Sequence, residues 1–383
     1  MHVFIKIGVR FEVNMKALVV TTVINTVEAF LIPHINLLNN EGYTVDIATN
    51  ICEKKISHLD VLCNNIMNID FSRNPLRKSN IKAYKDIKSV IKNNNYDLIY
   101  VHTPIASAIT RLACRDIRNT KIIYFAHGFH FFKGAPLKNR IIFYPIEKYL
   151  SKYTDILVTI NNEDYIRATK KLKANKTVMT NGVGIDLDKI ESIFVNKDSK
   201  RNELGLKKDD IVLLSVGELN DNKNHIEVIK AIDMMKNKKN IKYLICGRGN
   251  KKDYLTSFIK THKLENNVKL LGYRKDIIEI CKISDIFVFP SKREGLPVSV
   301  MEAMACGLPV VCSNIRGNTD LIISHMGGLL VEENNFNNYL NNILFLTKDA
   351  DTRKKYGYFN KEFVKKYDLY NVMTELKEVL KGI

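Results

Sequence analysis

The chain has 383 residues, with 59 Lys and Arg against 41 Asp and Glu and a formal net charge of +18. This length suits two domains, and no run of about 18 uncharged apolar residues predicts a membrane-spanning helix. The 7 cysteines include no C-x-x-C pair, so their pattern favours reduced cytosolic thiols over a disulfide framework or a zinc site.

The excess of positive charge is concentrated in the first half of the chain. Residues 1–186 carry 26 Lys and Arg against 15 Asp and Glu. An anionic partner would explain this excess, and we expect a membrane surface or a lipid diphosphate in preference to a nucleic acid. A bias in composition is the alternative, because the whole chain is rich in Lys, Asn and Ile.

The first predicted strand begins at Met15, so residues 1–14 are predicted to be an N-terminal extension, with a start-site error as the alternative. They do not resemble a signal peptide, because Lys6 and Arg10 interrupt the apolar run and no small-residue cleavage site follows it. Residues 15–186 alternate strands with helices, which predicts a doubly wound parallel sheet. The predicted strands of this first domain lie at residues 15–22, 42–49, 97–102, 121–127, 155–160 and 177–179, and the predicted helices at 25–40 and 80–92.

Gly182 and Gly184 lie close together after this series and suggest a hinge. The polar, basic residues 187–209 that follow are predicted to be a linker. Residues 210–383 then form a second α/β domain, whose last helices we expect to cross back to the first domain. Its predicted strands lie at residues 210–217, 242–247, 269–272 and 285–289.

The most informative stretch follows the strand at 285–289. Glu294 lies in a turn, Pro297 precedes a predicted helix over residues 298–306, and Glu302 lies on that helix. The start of a helix attracts phosphate, and carboxylates bind sugar hydroxyls. A nucleotide-sugar offers phosphates and hydroxyl groups together, so this unit predicts a nucleotide-sugar site.

The spacing of Glu294 and Glu302 resembles the E-x7-E signature of retaining GT-B glycosyltransferases of family 4, with P-S-x-x-E-G-L-P and E-A-M-A-C-G-L-P-V-V around it. The resemblance implies two Rossmann-like domains facing across a cleft, with the acceptor on the first domain and the donor on the second. It also implies a nucleotide-sugar donor, for which we expect UDP, and no metal or other cofactor.

The resemblance assigns roles to individual residues. Lys223 matches a lysine that binds the diphosphate, whereas Glu218 stands where the family usually has an arginine. His127 would form a hydrogen bond with the transferred sugar. Glu294 would bind hydroxyl groups of the donor sugar, and Glu302 would bind the ribose. Further donor contacts are implied for Gly217, Arg248, Tyr273, Arg274 and the helix start at Gly295, Leu296, Pro297 and Val298.

Residues 129–152 mix aromatic and basic side chains, as interfacial amphipathic segments do, although part of this segment could be core. The segment also resembles bacterial capsule and exopolysaccharide enzymes, whose acceptors are usually polyprenyl-diphosphate-linked sugars. We therefore predict a cytoplasmic enzyme on the inner face of the membrane. Acceptor or membrane contacts are predicted for His130, Phe131, Phe132 and Lys133.

Three points stay open at the level of sequence. His102 also ends a strand, and either core packing or a role in the cleft would explain it. A GT-B sugar-nucleotide epimerase would share the fold and the phosphate site, but the sequence shows no clear acid/base pair for it. A non-catalytic nucleotide-sugar-binding subunit of a synthase complex is the other alternative, and Glu218 is its main support.

Overall fold

A computed structural model describes residues 15–52 and 57–382, so the predicted N-terminal extension lies outside the described residues. The first sheet has seven parallel strands in the order β3-β2-β1-β4-β5-β6-β7. Runs such as Leu98–His102 are buried on both faces, as expected for a parallel sheet covered by helices. The strands are β1 Met15–Val23, β2 Tyr43–Asn50, β3 Asn65–Asn68, β4 Leu98–His102, β5 Lys121–Ala126, β6 Ile156–Thr159 and β7 Lys176–Met179.

Helices cover both faces of this sheet, and their apolar residues form its core. They are α1 Ile24–Thr26, α2 Ile32–Asn40, α3 Ser79–Asn94, α4 Pro104–Ala113, α5 Leu137–Leu150 and α6 Asn162–Lys171. A π-helical turn, Val27–Leu31, joins α1 to α2, and short 3₁₀ turns lie at Ser57–Leu59 and Ser151–Tyr153.

The second sheet has six parallel strands in the order β10-β9-β8-β11-β12-β13. These are β8 Ile211–Val216, β9 Ile241–Cys246, β10 Val268–Gly272, β11 Ile286–Phe289, β12 Val310–Ser313 and β13 Gly328–Val331. The remaining helices are α7 Leu187–Ser192, α8 Lys197–Glu203, α9 Ile226–Asp233, α10 Lys252–Thr261, α11 Ile277–Ile283, α12 Val298–Ala305, α13 Asn318–Leu321, α14 Phe336–Lys348, α15 Ala350–Phe363 and α16 Leu369–Lys381, with a 3₁₀ turn at Val364–Tyr367.

Two parallel-sheet domains of this kind confirm the predicted fold class. The strand order of each sheet reverses beside its first strand, between β1 and β4 and between β8 and β11. Ligands of open α/β sheets bind at the carboxyl ends of the strands at such switch points. His102 ends β4, and Glu294 follows β11, so both lie at these positions.

Some local predictions differ from the structure. The stretch at 187–209 contains α7 and α8 rather than a plain linker, and Lys200 of α8 lies within 3.1 Å of Glu203, Asp276 and Glu279. Strand β3 was not predicted, because Asn65–Asn68 has polar residues at both ends of only two apolar ones.

The last helix, α16, returns to the first domain. Glu375 accepts hydrogen bonds from the backbone N–H and the side chain of Asn181, and Lys377 pairs with Glu41 at 2.6 Å. In residues 15–52 and 57–382, no helix is long and apolar enough to cross a membrane.

Candidate active site

The loop and helix that follow β11 carry both carboxylates of the sequence motif. Pro297 precedes α12 with a φ of −78°, and its missing N–H costs no helical hydrogen bond at this position. The backbone N–H groups of Val298 and Ser299 have no acceptor among the described residues. They are two of the unsatisfied donors that make the start of a helix attractive to an anion.

Lys223 contacts Glu294 across the carboxyl ends of β8 and β11. Its Nζ lies 2.7 Å from Oε1 of Glu294 and 4.5 Å from the centre of the Phe289 ring. Both charged side chains are mostly buried, with 18% and 13% of their surface exposed. The two residues therefore neutralise each other in the absence of ligand, and a bound diphosphate would compete with Glu294 for the ammonium group.

The loops after β8 and β9 approach each other closely beside the Lys223–Glu294 pair. A Cβ on Gly247 would lie 1.8 Å from the carbonyl oxygen of Gly217, so the loops after β8 and β9 can meet only through a glycine there. A Cβ on Gly217 would lie 3.1 Å from the stem of Lys223. Gly217 thus leaves room for the lysine.

The three other predicted donor residues of this domain are not part of the same contact. The Arg248 guanidinium lies 5.6 Å from the centre of the Tyr273 ring, and both side chains are exposed. Arg274 instead donates to Asp276 and Glu203 and holds α8 against the segment after β10. A nucleotide contact of Arg274 stays a prediction, and its guanidinium would first have to leave these carboxylates.

Glu302 is a largely buried carboxylate on the second turn of α12. No hydrogen bond or ion pair of its side chain is found among the described residues. Burial raises the pKa of Glu302 to about 7. A buried carboxylate without a partner is costly unless a ligand supplies hydrogen-bond donors, and a ribose diol would supply two.

His127 follows β5, is half-buried and lies at the cleft end of a row of buried rings in the first domain. Its Nε2 lies 3.1 Å from Nδ1 of His102, whose ring stacks on Phe125. Deeper in the domain, His34 Nδ1 lies 2.9 Å from the Tyr100 hydroxyl. Burial lowers the pKa of His127 to about 4, so this imidazole is neutral at pH 7.

The two domains touch where His127 faces the motif loop. A Cβ on Gly295 would lie 1.9 Å from the carbonyl oxygen of His127, so the loops approach as closely as a glycine permits. Leu296 is buried, and a Cβ on Gly182 would lie 2.8 Å from its Cδ2 atom. An open cavity of about 300 Å³ lies here, which we call the cleft; it is lined from both domains by Pro104, His127 to His130, Asn222, Arg293 to Gly295 and Arg316.

Arg316 was not identified from the sequence. It follows β12 in the second domain, yet its guanidinium pairs with Asp164 of α6 and donates to the carbonyl oxygens of Phe129 and Glu294. Both side chains of the ion pair are almost fully buried, with 4% and 0% exposed. Arg316 therefore fastens the two domains beside the cleft. Gly317, directly after it, has a φ of +79°, and a glycine at this position is a local sequence signal of a tight loop.

The four residues predicted to contact the acceptor or the membrane differ in their burial and in their neighbours. His130 lines the cleft; burial first, and then the charges of Arg293 and Arg316, lower its pKa to about 4. Phe131 is 3% exposed and stacks on Phe129, so its ring does not reach the surface for the predicted membrane contact, and its predicted acceptor contact stays a prediction. The Phe132 ring lies 4.7 Å from the Arg316 guanidinium. The side chain of Lys133 is exposed.

Two facing Rossmann-like domains with this cleft define the GT-B class. The family described as "Glycosyl transferases group 1" matches residues 196–363, and that described as "Glycosyl transferase 4-like" matches residues 20–161. EpsD of Bacillus subtilis (strain 168), which bears the name of a glycosyltransferase, is 33% identical over 322 residues, 83% of each chain. The chain belongs to the family 4 glycosyltransferases.

Two further proteins are informative. An Escherichia coli enzyme named UDP-Gal:alpha-D-GlcNAc-diphosphoundecaprenol alpha-1,3-galactosyltransferase is 30% identical over 326 residues, 82% of each chain. The solved structure of HepE from Anabaena, in complex with UDP and glucose, superposes with a TM-score of 0.78 at 18% identity, over 96% of this chain and 100% of HepE. At that identity HepE supports the fold alone.

Proposed function

We propose that the protein transfers a hexose from a nucleotide donor, a UDP-sugar, to a lipid-diphosphate-linked sugar, with retention at the anomeric carbon. The observation that carries this proposal is the contact between the His127 loop of the first domain and the Glu294–Gly295 loop of the second. It places a neutral imidazole, a lysine–glutamate pair and a helix start around one cleft.

The donor would bind mainly to the second domain. Glu302 would accept hydrogen bonds from the ribose, which gives its unpartnered carboxylate two donors. The free N–H groups of Val298 and Ser299, together with Lys223, would bind the diphosphate. Glu294, released from Lys223, would accept hydrogen bonds from hydroxyls of the transferred sugar.

Catalysis would rest on charge stabilisation at the leaving diphosphate. Negative charge grows on the diphosphate as the glycosidic bond loosens, and preorganised donors at that point lower the barrier. Lys223 and the start of α12 supply such donors. Retaining enzymes of this family are thought to react on one face of the sugar, which requires no carboxylate nucleophile.

His127 would act as a neutral hydrogen-bond donor to the sugar. His102 Nε2 is buried and has no partner among the described residues. Unpaired buried N–H groups are rarer than unpaired acceptors, which favours a proton on His102 Nδ1, donated to His127 Nε2. His127 then carries its own proton on Nδ1, available to a ligand in the cleft.

No metal is required by this scheme. Within residues 15–52 and 57–382, no group of three or more His, Cys, Asp or Glu side chains is arranged to hold one. The positive charge that a metal would provide at the diphosphate would come from Lys223 and the helix start. Metal independence remains part of the proposal.

The acceptor and the membrane are proposed together. The name of the E. coli relative includes a diphosphoundecaprenol-linked sugar, and a role in bacterial surface polysaccharide synthesis would follow for this chain. Helix α5 exposes several large apolar side chains among lysines and an arginine, which suits peripheral binding to an anionic surface. With Phe131 buried, this helix replaces the Phe131–Phe132 pair as the expected contact.

A panel of nucleotide-sugars, screened by calorimetry and then for turnover, tests the proposal. We expect one UDP-sugar to bind and to release free sugar slowly in the absence of acceptor, and Lys223→Met to bind it but release sugar far more slowly. An isomerised sugar would identify an epimerase instead. Binding without any turnover would identify a non-catalytic subunit.

A further inference from the structure

Two neighbouring cavities lie beyond the cleft, in the first domain. Beside the cleft lies a cavity of about 240 Å³ between the end of β1, the loop at residues 73–75 and the start of α4. A second cavity of about 190 Å³ lies between α4 and α5. Pro104 and His130 line the cleft and both of these cavities, so the three spaces adjoin one another from the sugar site to the gap between these helices. We call the last two cavities the α4–α5 groove.

The walls of the 190 Å³ cavity are mostly apolar. Its one buried carboxylate, Glu147, is paired through both oxygens with Arg111, at 2.6 and 3.0 Å, so it presents no uncompensated charge. An apolar cavity of about 150 Å³ accommodates a benzene molecule, and 190 Å³ is therefore enough for about one five-carbon unit. The apolar walls are formed by Ile105, Ala108, Ile109, Ile142, Phe143 and Ile146.

The end of the groove near the cleft is positively charged. Arg73 lines the 240 Å³ cavity, and no ion pair of its guanidinium is found among the described residues. Arg293 lies close enough to His130 for its charge to help lower the pKa of His130, whereas the charge of Arg316 is compensated by Asp164. A ligand that is anionic beside the cleft and apolar beyond it would match this distribution.

The other end of the groove opens onto an exposed apolar face. Leu137 is 70% exposed, Ile141 64% and Ile142 50%. Ile142 and Ile146 belong to this face and also line the groove. Exposed apolar surface on one helix marks an interaction site. A hydrocarbon chain leaving the groove would pass directly onto it.

We propose that the α4–α5 groove binds the first isoprenoid units of the acceptor lipid, with the acceptor diphosphate at Arg73 and its sugar in the cleft. This inference rests on the proposed function in one respect, the lipid-linked acceptor. Three features of the groove favour this ligand. The groove adjoins the cleft, cationic residues lie at the end near the cleft, and apolar walls lie beyond them.

Binding of farnesyl diphosphate, below its micelle concentration, tests the groove by calorimetry, with inorganic pyrophosphate and UDP as reference ligands. The wild type should bind farnesyl diphosphate at least about tenfold more tightly than pyrophosphate, since a five-carbon unit is buried. Ala108→Phe, which fills the groove, should abolish this difference and leave UDP binding unchanged. Arg73→Ala should weaken both diphosphates.

Two further variants control for the fold. Ala350→Phe makes the same substitution at an exposed position in the second domain and should behave as wild type. Ile142→Glu changes a half-exposed wall residue and should weaken farnesyl diphosphate binding even if Ala108→Phe does not fold.

Equal affinity of the wild type for farnesyl diphosphate and pyrophosphate would overturn the groove proposal. Unchanged farnesyl diphosphate binding in both Ala108→Phe and Ile142→Glu would also overturn it. The exposed apolar face of α5 would then bind a different partner. Sugar release from the donor, measured on the same preparations, separates the two proposals. Release without any preference for farnesyl diphosphate refutes the groove alone, and farnesyl diphosphate binding without release refutes the transferase alone.

Discussion

The Nδ1 atom of His102 lies 3.1 Å from the Nε2 atom of His127. This contact joins a fully buried histidine at the end of β4 to a histidine that lines the cleft. Both rings are neutral at pH 7, because burial lowers both pKa values. We therefore propose that His102 positions His127, through a hydrogen bond and not through charge.

Replacing His127 by alanine should reduce kcat far more than it raises KM for the donor. A hydrogen bond that strengthens in the transition state appears in kcat, and the loss of one such donor costs about 10²–10³-fold. Steady-state kinetics with the donor found in the nucleotide-sugar panel provide the measurement. Equal kcat values for variant and wild type would remove His127 from the mechanism.

His102→Leu should lower kcat about tenfold, and His102→Asn, which retains an N–H donor, should recover part of the loss. A merely structural role predicts the same loss in any background. A positioning role predicts that His102→Leu causes no further loss once His127 is already alanine. Additive losses in the double variant would contradict the contact as the route of the effect.

Glu302→Gln should weaken donor binding by about 1–3 kcal/mol, the cost of losing a charged hydrogen-bond acceptor. The pKa of Glu302 is raised to about 7, so its carboxyl group becomes charged as the pH rises through that value. The hydroxyl groups of the donor bind the charged form more tightly. Wild-type affinity for the UDP-sugar should therefore increase as the pH rises from about 5.5 to 8, and the increase should be absent in the variant. The measurement is calorimetry with a UDP-sugar that is not hydrolysed during the experiment. Identical pH profiles for the wild type and the variant would refute the assignment of Glu302 to donor binding.

Arg316→Ala should destabilise the protein by about 3–5 kcal/mol, because it leaves the Asp164 carboxylate buried without its partner. Changing Asp164 to alanine as well should restore part of the free energy of unfolding in urea. If the single variant is as stable as the wild type, the ion pair does not fasten the domains.

Much of the fold could be predicted because its signals are local. Apolar strands such as Leu98–His102 and the turn at Pro297 define elements within a few residues. The E-x7-E motif located helix α12 and the loop before it for the same reason. The burial of Phe131 could not be read in this way, since it depends on stacking against Phe129 within a folded loop.

The ion pair that joins the two domains beside the cleft could not be predicted from the sequence. Arg316 and Asp164 are separated by 152 residues, and neither stands in a motif that implies the other. The same holds for the cavities beside α4 and α5, which form only when distant segments pack together. Sequence patterns therefore located the second-domain side of the cleft better than the first-domain side.

The stereochemistry of sugar release tests the central claim most directly. Proton NMR can follow hydrolysis of the UDP-sugar by the wild type and distinguish the first-formed anomer before the free sugar equilibrates. We expect the first product to have the anomeric configuration of the donor, and we expect its release to be lost in His127→Ala. Release of the opposite anomer, or no release from any nucleotide-sugar that binds, would contradict a retaining glycosyltransferase.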